Sequence, residues 1–330
     1  MIVRCLLSFG FAFFSFYCVA QDLPTRIRFC QPGVQNQSRT RGLEIAYQTN
    51  GRFGFQDDAG GNGDNRSFND ISSLEYSINI PILLKEDWKI FLGFRQRPET
   101  INLSENLFET APYLEELDGI RLKSNSLRLL GVKSLDYNNY VAFTVILNNN
   151  GLYDGLFKFS DTYLNRSAAF IYGIEKSPDF EFGFGLAYDQ NARRTLVLPI
   201  FFYNKTWSRK WGIEAYLPNE VMLRYNASPK TLLFSGLDFA GRSYGINMES
   251  ITAVSDQGPI DHHFNHQAVQ WKFSLEQEII PWLWLGVEGG YQIPLSTQLR
   301  SLNPTQSVVK FTPSNNVFFR MGLFLSPPDH

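Results

Sequence analysis

The sequence predicts an all-β fold, an antiparallel transmembrane β-barrel of about 12–14 strands with both the N and the C terminus in the periplasm. Three observations predict it: an apolar leader at the N terminus, strand-length segments of alternating polarity, and connections that alternate between short and long. Each of the three follows from the physical demands of crossing a bilayer with strands.

The composition is rich in aromatic residues and yet polar on average. Aromatic side chains make up 15% of the 330 residues, while the mean hydropathy is −0.19. The apolar residues are therefore dispersed among polar ones, as in strands with one apolar and one polar face. A formal net charge of −2 creates no basic field for nucleic acid, and no P-loop or Rossmann motif is present, so we expect neither nucleic acid nor a cofactor.

Residues 1–20 are typical of a signal peptide. Arg4 supplies the positive charge, Leu6 to Val19 is an almost unbroken apolar run, and a cleavage point follows Ala20. A retained membrane anchor is the main alternative, and a lipoprotein anchored at Cys18 is a weaker one.

Cleavage would leave Cys30 as the single cysteine of the mature chain, which excludes an internal disulfide. We expect an N-terminal periplasmic segment at 21–40, the barrel at 41–325 and a C-terminal tail at 326–330.

The segment Asp179 to Gln190 shows the strand pattern most clearly. One face carries Phe180, Phe182, Phe184, Leu186 and Tyr188, and the other carries Glu181, Gly183, Gly185, Ala187 and Asp189. Leu74 to Ile82 and Gln270 to Glu278 repeat this alternation. A closed sheet in a bilayer sorts its side chains in this way, with apolar residues toward lipid and polar residues toward the lumen.

The same pattern marks strand candidates along the whole chain. They are 41–49, 72–84, 87–97, 124–134, 139–148, 166–177, 179–190, 194–204, 207–217, 219–228, 231–251, 266–278, 281–293 and 315–325. Many approach the length of about 9–11 residues that a tilted spanning strand needs. Strands of soluble proteins centre nearer to about 5–6 residues, so length favours the membrane.

The connections provide an independent test, because bacterial barrels have short periplasmic turns and longer outer loops. The long connections are 50–71, 98–123, 149–165, 252–265 and 294–314. With fourteen strands they all fall at one end of the barrel, and both termini fall at the other. Twelve or ten strands stay open as alternatives.

Two segments lack a polar face, Leu196 to Tyr203 and much of Tyr140 to Leu147, and Pro81 and Pro199 lie inside predicted strands. They indicate either a barrel with a partly apolar interior or a soluble secreted β-sandwich that binds a ligand.

Charged residues on the polar faces are candidates for lining the lumen. They are Glu75, Arg95, Glu181, Asp189, Lys210, Glu214, Arg224, Lys272, Glu276, Glu288 and Arg320. Such charges either neutralise one another or bias a water-filled pore.

Three histidines, His262, His263 and His266, form the only histidine cluster, which makes them weak candidates for a metal site. The loop Asp57 to Asn65 is rich in oxygen ligands, but it lacks the EF-hand order of acids, and a solvated loop is favoured over calcium binding.

A resemblance covers most of the mature chain. The stretch Trp211 to Pro218 followed by Val221 to Tyr225, then Gly241 to Tyr244, resembles the uncharacterised outer-membrane barrel proteins of Bacteroidetes-type bacteria. Val317 to Leu325 is similar to their C-terminal strand, which guides assembly; here Ser326 to His330 follows it, so the chain does not end on an aromatic residue. The resemblance implies a fold and a location and brings no catalytic residues.

The expected function is therefore porin-like: passage or binding of a small solute, or a structural role in the envelope, with outer-membrane lipid and the barrel-assembly machinery as partners. We expect no enzyme. The alternative from another class is a lipid hydrolase or acyltransferase at the barrel rim, in which His266 would meet Ser243 or Ser255.

Overall fold

A computed structural model of the chain describes residues 29–51, 53–57, 67–103, 119, 121–191, 194–248, 260–301 and 308–327. The predicted signal peptide, most of the loop at 57–65, Ser255 and the end of the C-terminal tail lie outside these residues. Within them, no helix is long and apolar enough to cross a membrane.

The described chain is built from β-strands of five to 21 residues. The strands are β1 (Leu43–Asn50), β2 (Phe53–Asp57), β3 (Ser67–Leu84), β4 (Trp88–Leu103), β5 (Arg121–Ser134), β6 (Asn139–Gly151), β7 (Leu164–Ser177), β8 (Phe180–Gln190), β9 (Thr195–Thr206), β10 (Trp211–Leu217), β11 (Glu220–Ser228), β12 (Thr231–Met248), β13 (Ile260–Ile280), β14 (Leu283–Ser301), β15 (Val308–Pro313) and β16 (Asn316–Leu325).

Fourteen of these strands form a closed antiparallel barrel. Strands β3 to β14 pair each with the next, β14 pairs with β16, and β1 closes the ring by pairing with both β16 and β3. Closure pairs each of the fourteen strands with a neighbour on both sides, which is the condition for spanning a bilayer with strands.

All fourteen predicted strands are present in the barrel wall, so the prediction of a barrel of about 12–14 strands is confirmed. The short strands β2 and β15 were missed. They pair with each other and extend the wall above β3 and β14. With five and six residues, they are too short to show a period-two pattern of their own.

Side chains are sorted by face as the alternation predicts. On β8, Phe184 and Leu186 are 56% and 60% exposed on the outer face, whereas Glu181 on the lumen face is 3% exposed. A belt of exposed apolar side chains surrounds the barrel, including Leu92 on β4, Phe170 on β7, Phe273 on β13 and Leu323 on β16.

The two ends of the barrel differ. The turns at 85–87, 135–138, 178–179, 207–210, 229–230 and 281–282 all lie at one end, which we call the short-turn end. Strand β1 begins there and β16 ends there, where the Gly42 amide donates a hydrogen bond of 2.8 Å to the Leu325 carbonyl. The opposite end, which carries the longer connections, is the long-loop end.

Candidate functional site

The lumen contains a polar cavity of about 470 Å³. Its lining is mostly charged and comes from strands on one side of the barrel. It comprises Arg41, Glu44, Gln48, Glu75, Arg95, Arg97, Asp238, Phe239, Ala240, Gly241, Arg242, Gln270, Lys272, Glu288, Phe318 and Arg320. Because a wall of sheet surrounds these charges, the cavity offers a solute a water-accessible space inside an apolar belt.

An ion-pair network runs along the wall of this cavity and joins neighbouring strands. Arg320 on β16 contacts Glu44 at 2.8 Å, Glu75 at 3.1 Å and Glu288 at 3.4 Å. Arg41, just before β1, contacts Glu44 at 2.6 Å and Glu276 at 2.8 Å. Two arginines thus hold together four carboxylates from four strands and tie β1 and β16 to their neighbours around the ring.

Residues 29–42, here called the N-terminal segment, lie across the short-turn end of the lumen. The segment follows the turns in chain order: the amide of Cys30 donates to Asp136, that of Gln35 donates to Pro178, and Arg39 donates to the Pro229 carbonyl. Its far end is held by Arg41. The segment therefore spans the lumen from β5 to β14 and closes much of this end.

Carboxylates of the lumen wall bind the backbone of the N-terminal segment. Glu181 accepts a hydrogen bond of 2.9 Å from the Gly33 amide, and Glu214 accepts bonds from the amide and the hydroxyl of Ser38 at 2.8 and 2.6 Å. Arg224, with 0% of its residue surface exposed, supports Glu214 through an ion pair of 2.6 Å.

Two apolar clusters fill the lumen beneath the segment. Cys30 packs with Tyr140 and Phe202, and a second cluster joins Met222, Leu232, Phe234, Trp284 and Phe324. The Cys30 thiol donates to Glu175 at 3.0 Å. Burial raises the pKa of this thiol, and the hydrogen bond to Glu175 raises it further, so it stays neutral.

The lumen wall is apolar on the side of β7 to β9. Ile200 and Phe202 on β9 are buried against the clusters, and Leu198, two residues farther along the same face, is 40% exposed within the lumen. Opposite these residues β8 carries only Gly183, Gly185 and Ala187. The two-sided apolar character of Leu196 to Tyr203 thus reflects a partly apolar lumen.

An opening interrupts the wall above the short β10–β11 hairpin. Strand β9 pairs with β10 only from Phe201 onward, and β12 pairs with β11 only as far as Asp238. In the described chain, no strand separates 195–200 of β9 from 240–244 of β12, which is roughly 17–20 Å of edge on each side. We call this gap the side opening.

The side opening is bounded at the long-loop end by a contact between β6 and β12. Gly151 pairs with Gly245, and the Leu152 amide donates to the Gly245 carbonyl at 3.0 Å. A Cβ atom at Gly151 would collide with that carbonyl, so the backbones approach this closely only because residue 151 is glycine, while a Cβ atom at Gly245 would collide with the Thr162 carbonyl.

The sequence-based candidates for the lumen occupy different places. Glu75, Arg95, Lys272, Glu288 and Arg320 line the cavity, while Glu181, Glu214, Arg224 and Glu276 contact the N-terminal segment or its supports. Asp189 accepts a bond of 2.6 Å from Ser167 near the long-loop end of the β7–β8 pair. Lys210 lies instead in the exposed turn at 207–210, because β10 begins only at Trp211.

The histidines do not converge. His263 and His266 are three residues apart on β13 and therefore face opposite sides of the sheet. His263 contacts the Ser243 hydroxyl at 3.1 Å, while His266 contacts Thr297 at 2.7 Å and Gln292 at 2.8 Å. The predicted encounter of His266 with Ser243 is wrong for this reason. Within the described residues, no group of three His, Cys, Asp or Glu side chains could hold a metal ion, and the His262 side chain lies outside them.

Sequence reasoning missed the residues that bring the cavity together, namely Arg41, Glu44, Arg97 and Arg242. Arg97 lies on the same face as Arg95 within the predicted strand 87–97, and continuing that strand to residue 99 would also have found Glu99. No sequence pattern marked Arg41 as a cavity residue, because its partners Glu276 and Glu288 lie more than 200 residues away in the chain.

Comparison with known proteins identifies a family but no activity. A family model described as "Domain of unknown function (DUF6268)" matches residues 136–325. No curated protein matches the sequence.

Among solved structures, an outer membrane channel from Pseudomonas putida F1 is similar with a TM-score of 0.41 and 11% identity, over 89% of this chain and 99% of the other. A Pseudomonas aeruginosa FadL homologue is similar with a TM-score of 0.39 and 9% identity, over 86% and 89%. The P. putida toluene transporter TodX is similar with a TM-score of 0.36 and 7% identity, over 87% of this chain and 90% of the other. At such low identities and TM-scores these likenesses carry no argument about function.

Proposed function

The chain belongs to the family described as a domain of unknown function (DUF6268), and we propose that it is an outer-membrane β-barrel channel that binds or passes a small solute. The observation that carries this proposal is the polar cavity of about 470 Å³ enclosed by a barrel with an apolar outer belt. A cavity of this size accommodates a small molecule.

A location in the outer membrane follows from the apolar outer surface of the barrel wall. Exposed apolar side chains on the outer faces of neighbouring strands would be costly in water, whereas they fit the hydrocarbon core of a bilayer. The strands are antiparallel, closed and mostly longer than the span requires. We place the short-turn end, with the N-terminal segment, in the periplasm, because periplasmic turns of bacterial barrels are short.

The test is conductance and solute uptake of the refolded protein in planar bilayers and liposomes. We expect single-channel currents or swelling by small solutes. Leu198→Trp should reduce both because it fills the lumen, while the control Leu186→Trp on the outer face of the neighbouring strand should not. A folded, heat-modifiable barrel that shows no current, no swelling and no solute binding would overturn the proposal.

The side opening supports a lateral route for apolar solutes. On the outer face of β12, beside the opening, Leu237 and Phe239 are exposed within the apolar belt, and Leu198 is exposed in the lumen behind it. Since the N-terminal segment crosses the short-turn end, a solute with an apolar surface could leave the lumen sideways into lipid.

Gly241→Trp tests this route, because the space around Gly241 is open at the rim. We expect slower uptake of an apolar solute such as a small aromatic hydrocarbon, with polar solutes unaffected. Leu237→Trp, four residues away on the same outer face and below the opening, is the control. Equal effects of the two substitutions would exclude the lateral route.

The rim hydrolase is the alternative from another class. It rests on the 3.1 Å contact between Ser243 and His263. Lipid hydrolysis by this pair can be measured in the same liposomes. Release of fatty acid from the lipid, lost in Ser243→Ala, would establish that activity; its absence leaves the contact as a hydrogen bond between strands.

A further inference from the structure

We propose that Arg95 and Arg97 form a binding site for a small oxyanion, a carboxylate or phosphate, in the polar cavity. This inference rests on the proposed function in so far as the solute would reach the cavity through the barrel. The oxyanion is the chemical group by which the cavity would recognise its solute.

The cations of the cavity differ in how they are neutralised. Six cationic side chains line it, and four of them form ion pairs: Arg41 with Glu276, Arg320 with Glu75, Lys272 with Asp238 and Arg242 with Glu99. Arg95 and Arg97 form no ion pair with a carboxylate in the described part of the chain. They are therefore the two cations of the lining that remain available to bind an anion.

The charge balance of the lining points the same way. Besides Glu276 and Glu99, which pair with Arg41 and Arg242, the six cations face four acids of the lining, namely Glu44, Glu75, Asp238 and Glu288. Three of these acids are already bound by Arg320, and the fourth is bound by Lys272. In the described chain all six carboxylates are thus paired with other cations, which leaves Arg95 and Arg97 on β4 without an ion pair.

Strand geometry brings the two arginines together. Residues two apart on a strand face the same side, so both guanidinium groups extend into the lumen. Arg95 is exposed there. Arg97 lies beside the Tyr244 hydroxyl, while its Nε atom is shielded from solvent and lacks a hydrogen-bond partner within the described chain. Two like charges on one face repel each other, and a shielded donor without a partner is unfavourable. A bound oxyanion relieves both.

The donor chemistry selects the class of ligand. A guanidinium group presents paired N–H donors in a plane that matches two oxygens of a carboxylate or phosphate. Chloride cannot engage both donors of the fork in this way. A planar or tetrahedral oxyanion is therefore preferred over a simple halide.

The experiment measures binding separately from conduction. Acetate, inorganic phosphate and chloride are titrated calorimetrically against the full-length protein refolded in detergent. We expect acetate or phosphate to bind, and Arg95→Gln/Arg97→Gln to weaken that binding at least ~10-fold. Arg166→Gln removes one positive charge from the outer face and serves as the control. Heat-modifiable migration verifies that each variant is folded.

The outcomes separate this site from the proposed function. Binding of the oxyanion without any conductance would support the site and remove the channel. Conductance with no binding of acetate or phosphate, or with equal binding in wild type and the double variant, would overturn the site and leave the channel. In bilayers, the double variant should also shift the reversal potential in a salt gradient toward cation selectivity, since it removes the unpaired cations.

Discussion

Replacing Arg224 with methionine should destabilise the barrel by loosening the N-terminal segment from the lumen wall. Arg224 is fully buried and donates to Glu214 at 2.6 Å, to the Thr206 hydroxyl at 2.6 Å and to the Gln35 carbonyl at 3.5 Å. Glu214 in turn binds Ser38. Arg224 thus holds the segment directly at Gln35 and, through Glu214, at Ser38.

The expected loss is about 3 kcal/mol of unfolding free energy. Removing one partner of a buried ion pair costs about 3–5 kcal/mol, because the other charge is left buried and unpaired. Glu214 keeps two hydrogen bonds from Ser38, and 19% of its side chain is exposed, so the loss falls at the lower end of that range. Methionine retains the apolar packing volume near Gly212, which limits the additional cost of a cavity.

The measurement is urea unfolding of the refolded protein in lipid vesicles, with the free energy obtained by linear extrapolation. The double variant Arg224→Met/Glu214→Leu is the matched test, because it removes the stranded carboxylate and should regain part of the loss. A loss below about 1 kcal/mol in the single variant would refute the reasoning, since a buried charge cannot be stranded so cheaply. A double variant whose loss equals the sum of the single losses would also refute it.

Two further predictions test the faces of the wall and the seating of the N-terminal segment. Leu186→Lys should cost about 2–4 kcal/mol in urea unfolding because it puts a charge into lipid, whereas Ala187→Lys, directed into the lumen, should cost clearly less; equal losses would mean that the faces are misassigned. Cys30 should react with a thiol reagent at pH 8 at least ~100-fold more slowly in the folded protein than in urea, because its thiolate is suppressed by burial and by Glu175. Rates within a factor of about three would show that the segment is not seated in the lumen.

Much of the wall could be predicted from the sequence, because a strand in a closed sheet encodes its own two faces. The alternation at 179–190 predicted which residues of β8 face outward, and the structure places them there. The parity of short and long connections predicted fourteen strands, since each turn depends only on neighbouring residues. The segment at 194–204, apolar on both faces, already indicated that one side of the lumen is apolar.

The candidate site could be predicted only in part. Residues such as Glu75 and Arg320 were found because they alternate with apolar neighbours on their own strands. Lys210 shows the limit of this reasoning, because one shifted strand boundary moves a residue from the lumen to an exposed turn. The His266–Ser243 hypothesis failed because cross-strand register decides which side chains meet, and register is not visible in either strand alone.

The sequence by itself determined that this protein is a closed barrel with an apolar outside and a largely polar inside, because period-two alternation is a local property of each strand. Only the tertiary structure decided where the ends of the chain meet and what the lumen holds. The bond from Cys30 to Glu175 spans 145 residues and that from Arg320 to Glu44 spans 276, so both exist only once the ring has closed. The same is true of the side opening, which arises from the difference in length between the β10–β11 hairpin and the strands on either side of it.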